Sequence, residues 1–184
     1  MSQPPGGGAV PADRPDEGSF ALCLSHDVDR PYKTYQAVHE AVVTANHSPI
    51  RDLLSGKNPY WQFGEIMSLE RELGVRSTFF FLTAERLFER PVREWLSFRN
   101  IVEHLGRYDV RSPEISDIMS QLVDGGWEVG LHGSYHSFED RGRLCYEKKC
   151  IESIIGDSVK GCRQHYLNLD QPNTWCHQSS IGLS

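Results

Sequence analysis

The stretch Leu24-Ser25-His26-Asp27-Val28-Asp29 follows the apolar run 20–24 and is the most informative part of this chain. The apolar run predicts a strand, and side chains two residues apart on a strand point to the same side. Asp27 and Asp29 are therefore expected to lie together beyond its end. One of the two carboxylates can bind a metal ion while the other accepts or donates protons.

A second motif, Gly130-Leu131-His132-Gly133-Ser134-Tyr135-His136, lies about 100 residues downstream. His132 and His136 are four residues apart, a spacing that is common among zinc ligands. With Asp29 they would form a site of two histidines and one carboxylate, with open positions for water and substrate. An Asp-x-Asp sequence by itself is often a solvated turn or a helix cap. The two motifs together favour a hydrolytic metal site.

Apolar patterning predicts that strands and helices alternate along the chain. A continuous apolar segment at 77–82 is typical of a strand buried on both faces, as in a parallel sheet. The class is therefore α/β with a mainly parallel sheet. The predicted strands are 20–24, 77–82 and 127–131, with a further short strand-like element that starts at 161–163. The predicted helices are 32–46, 61–73, 113–122 and 144–155.

Composition excludes several classes of protein. The chain has 184 residues and a net charge of -6, and it contains no cluster of Lys and Arg. A nucleic-acid surface needs such a cluster to neutralise phosphates, so nucleic acid is not an expected partner. Five cysteines without a CxxC pair favour neither a disulfide framework nor a thiolate zinc ribbon.

The amino-terminal segment predicts no structure of its own. Residues 1–18 are rich in Pro and Gly and poor in apolar residues, so we expect a disordered tail followed by one domain over 19–184. The start lacks the basic and apolar regions of a signal peptide, and no apolar run is long enough to span a bilayer. A cytoplasmic protein is expected.

These motifs resemble those of the NodB-homology polysaccharide deacetylases, carbohydrate esterase family four, and especially a branch whose first motif reads His-Asp-Val-Asp. The resemblance covers about 21–184 and rests on the order of four features: Asp-Val-Asp, the apolar strand with Phe79-Phe80-Phe81, the His132 to His136 motif, and Gly161-Cys162-Arg163. It implies a distorted, incomplete (β/α) barrel. It also implies removal of acetyl groups from N-acetylated carbohydrates with a divalent metal, zinc being the expected ion.

The resemblance assigns roles residue by residue. Asp27 is expected to be the general base and Asp29 the metal-binding carboxylate, although the residues themselves leave open the reverse assignment. His132 and His136 are the expected metal-binding histidines. Arg163 is expected to pair with the base.

Two aromatic residues are expected to contact the substrate. Tyr166 lies three residues after Arg163, which belongs to the third motif of the family. Trp175 lies in a predicted loop near the end of the chain, where an aromatic ring can stack on a sugar.

The chain departs from the family pattern in its third motif and at its end. His165 stands where the family has proline, two residues after Arg163. A fourth motif and a final histidine that acts as general acid are expected beyond Ser184, which makes the barrel incomplete at its carboxyl-terminal side. His165 and His177 are candidate proton donors by residue type alone. We therefore expect the isolated chain to bind metal and to be a weak or inactive catalyst.

Three functions are compatible with this pattern. The first is the metal-dependent hydrolysis of an acetamide on an N-acetylated carbohydrate. The second is an amidohydrolase of the same fold that acts on a small cyclic amide or ureide, which a deep and closed pocket would favour. The third is a truncated, non-catalytic protein that binds metal or a partner.

Overall fold

The structure, a computed structural model, describes residues 21–32, 58–83, 92 and 107–184. Within this part of the chain, parallel strands alternate with helices. The strands are β1 (Ser25–Val28), β2 (Thr78–Leu82), β3 (Glu128–Gly133) and β4 (Cys162–Gln164); the helices are α1 (Phe63–Glu72), α2 (Pro113–Asp124), α3 (Arg141–Ile155) and α4 (Asn173–Ser180), and a short 3-10 helix (His165–Leu167) follows β4.

The four strands form one parallel sheet in the order β1-β2-β3-β4. A doubly wound sheet reverses its strand order at a switch point, whereas a (β/α) barrel keeps its strands in chain order. The observed order is that of a barrel. The α/β class and the incomplete (β/α) barrel predicted from the sequence are confirmed.

Strand β2 is buried on both faces, as its apolar sequence predicts. Phe79 and Phe81 point outwards and pack against Phe63 of α1, with ring centroids 6.0 and 6.1 Å apart. Phe80 and Leu82 point to the inner face of the curved sheet, called the arc below, because side chains alternate along a strand. The outer core continues through α2 and α3, with Ile115, Met119, Leu122, Leu144 and Ile151 fully buried.

The helices 61–73, 113–122 and 144–155 are confirmed with shifted ends. α2 begins at Pro113, whose missing N–H costs nothing at the first helical position. α3 begins three residues earlier than predicted, because the carboxylate of Asp140 accepts a hydrogen bond from the backbone N–H of Arg143 and caps the helix. It ends at Gly156 in the left-handed conformation.

The first strand lies further along the chain than the sequence predicts. The described part of the apolar run, residues 21–24, is not a strand, and Leu22 within it is 75% exposed. β1 begins at Ser25 because its ladder with β2 pairs Ser25 with Thr78 and Asp27 with Phe80. Asp27 is therefore part of the strand, and Asp29 follows it directly.

Two further predictions need correction. The third strand extends beyond 131 and includes His132, because Leu82 of β2 and Arg163 of β4 pair with that residue. Trp175 lies in helix α4, where a loop was predicted.

The predicted tail 1–18 and residues 33–46 of the first predicted helix lie outside the described residues. Within the described part, no helix combines the length and the apolar character needed to cross a bilayer.

Candidate metal centre

The site lies on the inner face of the sheet at the carboxyl ends of its strands. Ladder pairing places Asp27 beside Phe80, and Phe80 beside Gly130. Two residues after Gly130 on β3, His132 pairs with Arg163 of β4. Paired residues on parallel strands point to the same face, so these side chains converge on one side of the sheet.

Arg163 holds the first aspartate. Its Nη1 donates to Oδ1 of Asp27 at 2.8 Å, and its Nη2 donates to Oγ of Ser25 at 2.7 Å. The guanidinium carbon lies 4.7 Å from the centre of the Phe80 ring, a distance at which a cation is attracted to a ring face. The planar group is thus fixed by two hydrogen bonds and a ring, while 35% of the Asp27 side chain stays exposed.

The second aspartate faces two imidazoles. Oδ1 of Asp29 lies 3.1 Å from Nε2 of His132 and 3.6 Å from Nδ1 of His165. Nε2 of His132 and Nδ1 of His165 are themselves 3.1 Å apart. Among the described residues, these three form the group whose donor atoms are close enough together to hold one metal ion.

A backbone carbonyl sets the tautomer of His132. Its Nδ1 lies 2.9 Å from the carbonyl oxygen of Arg163. A carbonyl can only accept a hydrogen bond, so Nδ1 carries a proton, and Nε2 is the ring atom that faces Asp29. Metal-binding histidines in proteins are commonly oriented by this kind of contact.

The donor set fits a divalent cation. Oδ1 of Asp29 is buried and receives no hydrogen bond of normal geometry, although 42% of the side chain as a whole is exposed. A buried carboxylate oxygen without a donor is costly unless a cation satisfies it. One carboxylate and two imidazoles are typical zinc ligands.

Electrostatics keep this carboxylate ionised. Burial alone would raise the pKa of Asp29, but the contact with His132 and the charges of His132, His165 and Arg30 outweigh burial, so this pKa is lowered. For His132, burial acts to lower the pKa, while Asp29 and the carbonyl of Arg163 outweigh it and raise this pKa. An anionic oxygen therefore faces the imidazole nitrogens.

An open cavity of about 540 Å³ gives access to the group. Its lining includes both aspartates, Arg163, His165 and Tyr166. A second cavity, of about 410 Å³, also reaches the two aspartates, from the side of Tyr60 and Phe63. The aspartates thus stand between two spaces open to solvent in the described part of the chain.

Comparison with solved structures places this fold. The structure of a candidate polysaccharide deacetylase from Mycobacterium smegmatis matches with a TM-score of 0.51 and 15% sequence identity over 95% of this chain and 53% of that one. The fold is that of the polysaccharide deacetylases. The resemblance noted in the sequence is therefore confirmed at the level of the fold.

Other solved structures with the deacetylase fold match less closely. A CE4 family pseudoenzyme from Bacillus anthracis has a TM-score of 0.45 and 16% identity over 66% of this chain and 36% of its own. The CE4 domain of a multidomain xylanase from the hindgut metagenome of Trinervitermes trinervoides has a TM-score of 0.42 and 15% identity over 63% of this chain and 47% of its own. This chain thus spans about half or less of each of these three chains. No family model and no curated protein matches it.

The site of this deacetylase fold brings together most of the residues expected from the sequence. Asp27, Asp29, His132 and Arg163 all line the larger cavity. His136 is exposed and does not belong to the group of donor atoms around Asp29.

The two expected substrate-binding residues are placed differently. Tyr166 is 73% exposed and lines the larger cavity. Trp175 is 50% exposed on α4 and is not part of that lining.

Two residues of the site were not predicted from the sequence. His165 lies with Asp29 and His132, and Ser25 lies against Arg163. The signal for both was the alternation already used for the aspartates: Ser25 is two residues before Asp27, and His165 two residues after Arg163. On a strand, such neighbours share a face. By residue type alone, the sequence predicts His165 only as a candidate proton donor.

Proposed function

We propose that this protein is a metal-dependent hydrolase that removes acetyl groups from an N-acetylated carbohydrate. The observation that carries the proposal is the convergence of two separate acidic centres on one open cavity. Asp27 is paired with Arg163 at 2.8 Å, and Asp29 is in contact with His132 at 3.1 Å. One centre is suited to proton transfer and the other to binding a cation.

Asp29 and His132 would hold the metal. When bound there, a divalent metal supplies Lewis-acid polarisation of the substrate carbonyl and lowers the pKa of its water. The proton on Nδ1 of His132 is held by the carbonyl of Arg163, which keeps Nε2 available as the donor atom. These two residues are therefore orienting and binding groups rather than proton carriers.

Asp27 would act as the general base. The guanidinium of Arg163 occupies one of its oxygens and fixes the orientation of the carboxylate, while the exposed part of the side chain can accept a proton from water in the cavity. A positioned base of this kind contributes about a hundred- to ten-thousand-fold in rate. Arg163 is a positioning residue, since it acts through Asp27.

Within the described part of the chain, the shape of the cavity favours a carbohydrate over a small cyclic amide. A carbohydrate chain needs an open surface, whereas a small ureide is best recognised in an enclosed pocket. The cavity at the aspartates is open in the described part of the chain. Tyr166 on its wall is the proposed stacking surface for a sugar ring, and Trp175 would contact only a longer substrate.

The test is acetate release from an N-acetylated oligosaccharide, measured with and without zinc. We expect release that requires the metal, even if it is slow, and we expect Asp27→Asn to lower it by about a hundredfold or more while zinc binding is retained. Asp29→Ala should lose both properties. Zinc binding with no acetate release from any acetamide would overturn the catalytic proposal and favour a non-catalytic metal-binding protein.

A further inference from the structure

Two side chains, one from β1 and one from the residue that follows it, face two side chains from β4 and the turn after it. Asp27 contacts Arg163 at 2.8 Å, and two residues along each segment, Asp29 lies 3.6 Å from His165. Both contacts cross the inner face of the arc. The carboxyl end of β4 therefore supplies a partner for each aspartate: a permanent cation for the first, and an imidazole for the second.

We infer that His165, and not His136, is the second histidine ligand of the metal held by Asp29 and His132. This inference rests on the proposed function, which requires a metal at Asp29. It changes the ligand set from two histidines on one motif to one histidine from β3 and one from the end of β4.

The distances among the three donor atoms carry the inference. Oδ1 of Asp29, Nε2 of His132 and Nδ1 of His165 are separated by 3.1, 3.1 and 3.6 Å. A tetrahedral zinc ion with bonds of about 2.0 to 2.1 Å holds its ligand atoms about 3.3 Å apart. The triangle thus already has the size that such an ion requires, and all three residues line the open cavity.

His136 is held away from this triangle by its own turn. The backbone N–H of Ser137 donates to the carbonyl of Ser134, which closes a turn directly around His136. The hydroxyl of buried Ser137 donates to the side chain of Gln164 at 3.1 Å and fixes that turn against β4. The ring of His136 lies exposed, edge-on to Tyr135 with centroids 4.8 Å apart.

The backbone after β4 is shaped to present His165. The strand ends at Gln164, and Tyr166 and Leu167 follow in the left-handed region with φ of 57 and 55°. Residues other than glycine rarely adopt this conformation, and such positions cluster at functional sites. The Tyr166 ring packs against that of His165 with centroids 4.4 Å apart, which helps to fix the imidazole beside His132.

The experiment is zinc binding by calorimetry on the 184-residue chain and on matched variants at the two histidines. His165→Ala should weaken binding by at least about a hundredfold, since loss of outer-shell partners alone costs about ten- to a hundredfold. His136→Ala should bind one equivalent with the affinity of the parent chain. Circular dichroism of each metal-free variant shows that the fold is intact.

Cobalt supplies a gain-of-signal test at the same positions. Cysteine is a good ligand for zinc and cobalt, so His165→Cys should retain the metal and add a thiolate-to-cobalt charge-transfer band in the near-ultraviolet. His136→Cys, the matched control, should add no such band.

The outcomes separate this inference from the proposed function. Loss of zinc binding in His136→Ala with retention in His165→Ala would overturn the inference and leave a metal site. His165→Ala that binds zinc normally but releases no acetate would also overturn it, because His165 would then transfer protons. If Asp29→Ala and His132→Ala both bind zinc as the parent does, there is no metal centre here and the proposed function itself fails.

Discussion

Arg163 on β4 donates to Asp27 on β1 at 2.8 Å, although two strands lie between them in the sheet. In a flat sheet these strands would be about 14 Å apart, since neighbouring strands are separated by about 4.8 Å. The contact is possible because the sheet curls and brings its two outer strands towards each other. Asp27, the proposed base, and Arg163 are thus joined by barrel curvature rather than by proximity in the chain.

The first prediction concerns the charge and shape of Arg163. Arg163→Lys keeps the positive charge but cannot contact Asp27 and Ser25 together in one plane. We expect acetate release to fall by about tenfold or more in this variant, and by about a hundredfold or more in Arg163→Met. Zinc affinity, measured by calorimetry, should change little. A lysine variant with full activity would show that charge alone is sufficient.

The second prediction concerns Gly130, which leaves room for the ring beneath Arg163. A Cβ at this position would lie 2.6 Å from two ring carbons of Phe80 and 3.1 Å from the carbonyl oxygen of Gly161. Gly130→Ala should therefore destabilise the fold by about 1 to 3 kcal/mol. It should also reduce acetate release, because the displaced ring no longer supports Arg163.

A double-mutant cycle checks this account of Gly130. Phe80→Leu removes the ring atoms that an alanine at 130 would meet, so the two substitutions together should cost less than the sum of their separate costs. The free energy of unfolding in denaturant gives each value. Strictly additive costs would show that Phe80 is not what Gly130 accommodates.

The third prediction concerns Glu147, which is buried beneath the turn that follows His132. Burial raises the pKa of Glu147 to about 7, although the backbone N–H of Ser134 and the charge of Arg143 act in the opposite direction. Its Oε1 is buried without a hydrogen bond. Between the ordinary carboxyl pKa and about 7, the folded state binds the proton more tightly than the unfolded state.

Stability should therefore fall as the pH rises through this window. The loss should total about 3 kcal/mol and be complete above the folded pKa. Glu147→Gln removes the ionisation, so it should be more stable than the parent chain at pH 8 and similar to it at pH 5. Denaturant unfolding at the two pH values measures this, with exposed Glu139→Gln as the control. An equal loss in parent and Glu147→Gln would contradict the assignment.

The fourth prediction concerns Glu70 of α1, whose side chain contacts residues in β1 and directly before β2 and β3. Its carboxylate accepts hydrogen bonds from Trp127 Nε1 at 2.6 Å and from the backbone N–H and the hydroxyl of Ser77. It also lies 2.8 Å from Nε2 of His26. Burial acts to raise the pKa of Glu70, but these contacts outweigh it and this pKa is lowered. Its contribution to stability is therefore present above the ordinary carboxyl pKa and lost as the pH falls.

Glu70→Ala would leave several buried donors without an acceptor. We expect a cost of about 2 to 5 kcal/mol in the free energy of unfolding at pH 7. Glu65→Ala, at an exposed position of the same helix, should cost far less. Thermal unfolding followed by circular dichroism compares the two, and equal melting temperatures would show that the Glu70 contacts contribute nothing.

The sequence by itself determined the features that depend on local pattern. Continuous apolar residues predicted β2, periodic apolar residues predicted α1 to α3, and the alternation of elements predicted the parallel α/β class. Two-residue spacing placed Asp27 and Asp29 on one side of the chain, and the structure places both on one cavity. These properties follow from the dihedral periods of strand and helix, which any stretch of sequence displays.

Tertiary structure alone decided the register of β1 and which residues lie beside Asp29. The first strand starts at Ser25 rather than in the apolar run before it, because pairing with β2 fixes the register. His165 lies beside Asp29 and His136 does not, since the curl of the sheet brings β4 to β1 while a turn holds His136 outside. Sequence spacing describes neighbours along one element. Which elements meet across the barrel depends on strand order and curvature, and no local pattern encodes these.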